Sequence, residues 1–305
     1  MFRIGTSFLL CSLLCIIFPR TVQGILGGEE AYHGQYSFTV VLKRDGQYYC
    51  SGGIIGEHYI VTAAHCIVND GNEEFKNLPL QVIAGTNNFK ISFLEGTVVA
   101  DVERYFIPAE FFETKPLAER TGDIAVLKLK QRLNLKRTNM FLERLFLSEH
   151  KSYVGQTALL TGFGWDSLKY QIKPWSNKAV KLGGSSGKLR AVETTVLPPL
   201  DCIVGDRKRV HSIRHMCARV KQQKPTEPRG FCYGDSGAPL IHGDDLLIGV
   251  ASLGNKRCNE TQTPGVYTRV SYYVEFIQKV MRDDVENDIL DDIHTATLPT
   301  TSWAW

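Results

Sequence analysis

Tyr59-Ile60-Val61-Thr62-Ala63-Ala64-His65-Cys66 sets a short β-branched run directly against a histidine and a cysteine. Four such residues suffice for a strand and are too few for a helix. Similar runs recur at Phe38–Leu42, Leu80–Ala84, Ile124–Leu129, Thr157–Leu160 and Leu246–Ala251, separated by Gly, Asn and Asp. Many short strands with turn signals between them argue for an all-β barrel or sandwich and against a parallel α/β sheet. One stretch reads otherwise. Tyr272, Tyr273, Phe276, Ile277 and Val280 fall at helical spacing, which predicts a helix over 271–282 capped by Ser271. Residues 166–188, polar and basic with Gly183-Gly184-Ser185-Ser186-Gly187, read as a long flexible surface loop. Arg219, Lys221, Lys224 and Arg229 form a second basic stretch around two prolines.

The chain has 305 residues, 22% of them charged, a globular fraction that excludes a mostly disordered protein. The net charge is +3, of which 1–24 carry +2 and 283–305 carry −6, leaving +7 on 25–282. No basic stripe interleaves with aromatics, so no nucleic-acid partner is expected. The N-terminus has the parts of a secretion signal: Arg3, the apolar run Phe8–Phe18, Pro19, then Val22 and Gly24 at small-residue positions before a cleavage site after Gly24. The apolar run is too short to span a bilayer, which disfavours an uncleaved anchor and a membrane partner. Loss of 1–24 removes Cys11 and Cys15 and leaves Cys50, Cys66, Cys202, Cys217, Cys232 and Cys258 for an oxidising compartment. Six cysteines suit three bridges and permit 15 pairings. Their spacing does not suit zinc. Residues 283–305 hold six acids and no Lys or Arg, and are expected to be a disordered, solvated tail. The alternative is a docking role anchored by Trp303 and Trp305.

Three segments combine into chemistry. Attack on an amide carbonyl needs a hydroxyl nucleophile, a base, an acid that fixes the base's tautomer, and N–H donors for the oxyanion. Ser236 in Gly234-Asp235-Ser236-Gly237-Ala238-Pro239, His65, and Asp123 in Gly122-Asp123-Ile124-Ala125-Val126-Leu127 supply the first three. The backbone N–H groups of Gly234 and Ser236 can supply the fourth. The chain order His, Asp, Ser is a known one for such a triad.

With Ile25-Leu26-Gly27-Gly28 and Pro264-Gly265-Val266-Tyr267, these motifs resemble the chymotrypsin/trypsin family of secreted serine proteases, from Ile25 to about Arg282. The resemblance implies two six-stranded antiparallel β-barrels, near 25–150 and 151–270, with the cleft between them and a C-terminal helix at 271–282. It implies the bridges Cys50–Cys66, Cys202–Cys217 and Cys232–Cys258, and Ser252-Leu253-Gly254 as the strand that pairs with substrate, although the family usually has Trp at Leu253. It further implies a monomer without cofactor, acting on protein or peptide substrates and open to proteinaceous inhibitors. Departures are visible. Ala238 replaces a common Gly. The cysteines that often bridge the strands of Ala158 and His242 are absent. Gly85-Thr86-Asn87-Asn88 lacks the carboxylates of a calcium loop, so no metal is expected.

The specificity pocket matches Gly230, Gly254 and Gly265. Gly230 stands where trypsin-like members place Asp, so apolar rather than basic residues should precede the scissile bond. Phe231 leaves two readings. Pointing inward, it shortens the pocket and favours Leu, Met or smaller groups; pointing outward, it admits Phe and Tyr. In the family a new amine, here that of Ile25, pairs with the acid before the nucleophile, here Asp235. No basic residue precedes Ile25, so signal removal itself could release it; the alternative is a short propeptide trimmed by a non-tryptic protease. Asn259-Glu260-Thr261 is the one N-glycosylation sequon. The competing class is a catalytically silent homologue acting as a binding or regulatory module.

Overall fold

The computed structural model describes residues 25–68, 77–91, 94–113, 121–135, 143–149, 152–172, 179–204, 208–209, 213–221, 229–254, 258, 263–282 and 292–299. Two antiparallel barrels account for almost all of its regular structure. The first is a closed ring of β2 (Thr39–Arg44), β3 (Gln47–Ile54), β4 (Tyr59–Thr62), β7 (Ala125–Leu129), β6 (Val98–Pro108) and β5 (Leu80–Ala84). Ring closure leaves open only the β5-side edge of the second half of β6. β6 makes closure possible. Its first half pairs with β5 (Val82↔Ala100) and its second with β7 (Phe106↔Val126), with a register shift between Val102 and Arg104. A bulge of this kind bends and twists a strand enough to turn a corner. The β-branched and leucine side chains of these runs, among them Val40, Leu42, Val61, Val82 and Leu127, are fully buried in the interior.

The second barrel closes through β9 (Thr157–Gly162), β12 (Arg190–Val196), β15 (His215–Val220), β18 (Gly265–Arg269), β17 (Leu246–Leu253) and β16 (Pro239–His242). Short β1 (Glu29–Glu30) adds to β12, and β8 (Phe146–Leu147) runs parallel to β17. His242, where a bridging cysteine is often found, instead bonds Thr157 O through Nδ1 at 3.0 Å. The barrels meet at Thr39 and Thr161, whose hydroxyls lie 2.7 Å apart. Helix α1 (Val270–Met281) follows β18 and buries Val270, Tyr273, Ile277 and Val280 against the first barrel's core.

Three expectations change. The helix begins one residue earlier than predicted, and Arg269, not Ser271, stands at its N-cap with no side-chain cap bond. Residues 167–172 and 179–184, expected to be a flexible loop, form the β10–β11 hairpin (Ser167–Ile172, Ala179–Gly184). Gly183 serves close packing there: a Cβ would lie 2.4 Å from the Trp165 ring. The third change is in the tail. Ile293–Thr297 form β19, antiparallel to β6 from Ile293↔Pro108 to Thr297↔Arg104. Leu298 is buried in the first core and its N–H bonds Glu103 O at 2.8 Å. Two apolar residues and a main-chain ladder suffice to dock a segment whose composition reads as disordered. Residues 1–24, 283–291 and 300–305, which include the expected secretion signal and the rest of the tail, lie outside the described residues.

Candidate active site

Each of the three candidate side chains lies in a turn next to a strand. β4 runs into a 3₁₀ turn at Ala64–Cys66 that carries His65. Ala63 and Ala64 are fully buried and the Cys66–Cys50 bridge ties the turn to β3. Asp123 precedes β7 in an interior position, 2% exposed. Its Oδ2 accepts from His65 Nδ1 at 2.8 Å, and its Oδ1 accepts from the His65 backbone N–H at 3.0 Å. A carboxylate only accepts, so this contact selects the tautomer with hydrogen on Nδ1. The Ser252 hydroxyl, from β17, donates to Asp123 Oδ2, and Thr268 Oγ1, from β18, donates to Asp123 O at 2.7 Å. Thus an acid of the first barrel is held by the second. Burial alone would push the Asp123 carboxyl up; the charge of His65 and the bonds from His65 and Ser252 outweigh it and hold the group below its ordinary value.

Ser236 lies on a turn pressed against the first barrel. The Ser51 N–H donates to Ser236 O at 2.8 Å and Ser51 Oγ to Gly234 O at 2.9 Å. At Gly237 the backbone has φ +79°, and a Cβ would lie 2.1 Å from Thr62 Oγ1. Only glycine permits both that conformation and that approach. Ser236, Gly234 and His65 line one cleft of about 520 Å³, together with Trp165 and Tyr233. Among the described residues, neither the Gly234 N–H nor the Ser236 N–H has a protein acceptor. Donors left open beside a hydroxyl are the requirement for an oxyanion site.

The expected specificity pocket is occupied by Phe231. Its ring lies between the two glycines: a Cβ at Gly254 would fall 2.4 Å, and one at Gly265 2.5 Å, from the ring. Tyr267 packs edge-on at 5.8 Å between centroids. Of the alternatives the sequence leaves open, the inward one is realised. A residual cavity of about 20 Å³ remains, lined by Gly230, Arg229 and Val220 among others. Arg229, read as part of a basic surface stretch, is instead buried. Its Nε donates to Gly27 O at 2.7 Å and its Nη1 to Lys221 O at 3.2 Å. Nothing in its local sequence signals that role, because both acceptors are backbone carbonyls, one of them some 200 residues away.

Ile25 is 1% exposed in the second core, beside Leu160, Ala238 and Tyr267, and the Gly230 N–H bonds Leu26 O at 3.0 Å. Asp235 is fully buried. Its carboxylate accepts from Gly164 N–H at 2.7 Å and Cys232 N–H at 2.9 Å. Burial pushes it up to about 7 in spite of those two bonds. Gly162 and Gly164 give it room, since a Cβ at either would lie 2.4 or 2.3 Å from its carboxylate. The three disulfides are Cys50–Cys66, Cys202–Cys217 and Cys232–Cys258, with Cα separations of 6.2, 5.5 and 5.2 Å. The ligand atoms of Cys50, Cys66 and His65 lie within 4.8 Å of one another, but bridged sulfurs are not thiolate ligands. Asn259 lies outside the described residues.

A family model described as Trypsin matches residues 25–277. Trypsin epsilon of Drosophila erecta is 27% identical over 285 residues, covering 91% of this chain and 96% of that protein. A snake venom serine protease of Naja atra, NaSP, is 25% identical over 85% of this chain and 80% of its own length. Bovine (Bos taurus) coagulation factor XI is 26% identical over 90% of this chain, but over 40% of its own length. Among solved structures, neuropsin, a serine protease of mouse brain, superposes with a TM-score of 0.65 at 21% identity, over 83% of this chain and 98% of its own. That likeness concerns the fold: two six-stranded antiparallel barrels and a C-terminal helix. With the family model spanning both barrels and running into the helix, the chain belongs to the trypsin family of serine proteases.

Proposed function

We propose that this chain is a secreted serine endopeptidase in which Ser236, His65 and Asp123 form the catalytic triad. The observation that carries the reading is the buried Asp123 carboxylate, fastened to both the Nδ1 and the backbone N–H of His65 beside a cleft lined by Ser236. In the reaction the Ser236 Oγ attacks the scissile carbonyl and passes its proton to His65 Nε2. Asp123 stabilises the imidazolium without taking the proton. The Gly234 and Ser236 N–H groups stabilise the oxyanion, a contribution of about 3 kcal/mol per donor. His65 then protonates the leaving amine, and the acyl-enzyme on Ser236 is hydrolysed by water activated through the same His65.

The residue before the scissile bond is small and apolar. Phe231 between Gly254 and Gly265 leaves no room for an aromatic side chain, and the described walls offer no carboxylate to Lys or Arg. Ser252-Leu253-Gly254 is the strand that pairs with substrate. Signal removal after Gly24 frees Ile25, whose amine pairs with Asp235; the burial of Ile25 and the lack of a cationic partner for Asp235 among the described residues support this. Asn259 carries a glycan. The protein acts as a monomer on protein substrates, and proteinaceous inhibitors that mimic them bind the same cleft.

A fluorophosphonate probe followed by peptide mapping tests the triad. Label at Ser236, lost on heating, supports the reading; a folded protein that takes up no label is a silent homologue. Cleavage of a peptide library then tests the pocket, with Ala, Val and Leu expected before the scissile bond. Efficient hydrolysis after Arg would overturn it.

A further inference from the structure

The tail strand β19 lies beyond residue 277, where the family match ends. It docks on the part of the first barrel that leads to Asp123. Beyond the β6 ladder, the Ala109 N–H bonds Asp292 O at 2.7 Å, and the His294 ring meets Phe112 edge-on at 4.3 Å. Both contacts fall on the 3₁₀ turn Ala109–Phe112, and that turn carries Glu110. Glu110 Oε1 accepts a short hydrogen bond from the Tyr273 hydroxyl, on helix α1. Tyr273 Oη in turn accepts from the Gly122 N–H at 2.8 Å, the residue before Asp123. Arg214 forms an ion pair with Glu110 Oε2 at 3.0 Å and covers the Tyr272 ring at 5.0 Å. Gly122 has φ +73°, and a Cβ there would lie 2.9 Å from Glu110 Cγ, so the Asp123 turn and the Glu110 side chain are in direct contact.

We propose that β19 is a strap that positions Asp123, acting through the 109–112 turn, with Glu110 and Tyr273 as positioning residues. The inference rests on the triad reading above for its catalytic consequence, but its mechanical part does not. Asp123 is held from the second barrel by Ser252 and Thr268; the strap and Tyr273 hold the other end of its turn. A buried Tyr hydroxyl that both donates to a carboxylate and accepts from an N–H has one arrangement, so the Gly122 backbone has little freedom while Glu110 stays in place. Releasing the strap frees Glu110, and with it the orientation of His65.

The test uses the full chain with Ala296→Pro, which removes the main-chain donor that faces β6 opposite Tyr105, against Ala296→Val, which keeps the strand. Tyr273→Phe, which keeps the ring and deletes the hydroxyl, is the second variant should the first not fold. Hydrogen exchange is read at 105–113 and 121–125, with second-barrel amides as the control for global opening. The rate of fluorophosphonate labelling at Ser236, and kcat and KM per labelled site, are read alongside. Faster exchange at Gly122 and Asp123 in both Ala296→Pro and Tyr273→Phe is expected, with kcat down about tenfold to a hundredfold and KM little changed. Ala296→Val should behave as wild type. Faster exchange confined to β19 and 105–108, with Gly122 exchange and kcat at wild-type values, overturns the proposal. If the wild type takes no label, the triad reading fails, and exchange at Gly122 alone decides whether the strap holds that turn.

Discussion

At the residue scale, the proposed triad has His65 and Ser236 divide one proton transfer between them, so loss of either should remove nearly all of the rate. Ser236→Ala or His65→Ala should lower peptide hydrolysis by about 10⁴-fold or more. Both variants should still fold and keep the three bridges, checked by mass under non-reducing conditions. Phe231 makes a sharper case. Phe231→Ser should vacate the space between Gly254 and Gly265 and raise kcat/KM for Phe and Tyr substrates relative to Ala, by about 10- to 200-fold. Library profiling reads this directly, and an unchanged profile would show that the ring does not set the pocket. Adding Gly230→Asp to Phe231→Ser should shift preference toward Arg and Lys, because a carboxylate would then stand at the base of an open pocket.

At the element scale, the 234–237 turn depends on neighbouring glycines as much as on its own. Gly164→Ala would drive a methyl into the Asp235 carboxylate, at 2.3 Å, and strain the donor that binds it. Overpacking of this kind costs about 1–3 kcal/mol, and here it should also slow labelling of Ser236. Gly155, unlike Gly164, has a left-handed φ, +79°, and nothing lies near its Cβ position. Gly155→Ala should therefore show only the smaller backbone cost, about 1 kcal/mol, and normal labelling. Thermal melts with labelling rates separate the two. The short strands themselves were readable from the sequence because alternation and β-branching are local properties. The β10–β11 hairpin was not, since Gly183 and Gly184 read as flexibility until Trp165 is seen against one of them.

At the scale of the whole molecule, the proposed pairing of Ile25 with Asp235 would link proteolytic history to stability. While residues precede Ile25, the Asp235 carboxyl is buried with no cationic partner among the described residues and stands at about 7, against an ordinary 3.8. The folded state then binds a proton that the unfolded state has released, so stability falls as pH rises from about 4 to 7, by up to about 4 kcal/mol. A free Ile25 ammonium would draw the folded value down and remove or reverse that loss. Urea melts of Ser236→Ala protein at pH 4.5 and 7.5, with and without Thr21–Gly24 ahead of Ile25, should show the loss only in the extended form. Equal pH dependence in both would mean that the amine does not reach Asp235. N-terminal sequencing of freshly secreted protein should find Ile25 together with immediate activity; an inactive form starting upstream would reject release by signal removal.

The sequence by itself determined the strand-forming runs, the count of cysteines left after residue 24, and the residue types able to perform acyl transfer. Each of these depends on neighbours within a few positions. Spacing left 15 disulfide pairings open, family resemblance selected one set, and the fold brings those cysteines within bridging distance. Tertiary structure alone decided the direction of Phe231, the burial of Arg229 and the docking of β19. Phe231 turns inward because the two glycines that receive its ring arrive 23 and 34 residues later, one just past the end of β17 and one at the start of β18. Arg229 finds its acceptor at Gly27, and β19 finds its ladder on β6, only once the barrels have closed. A polar or acidic segment carries no mark of a distant strand or carbonyl waiting to pair with it, because main-chain hydrogen bonds are blind to side-chain identity.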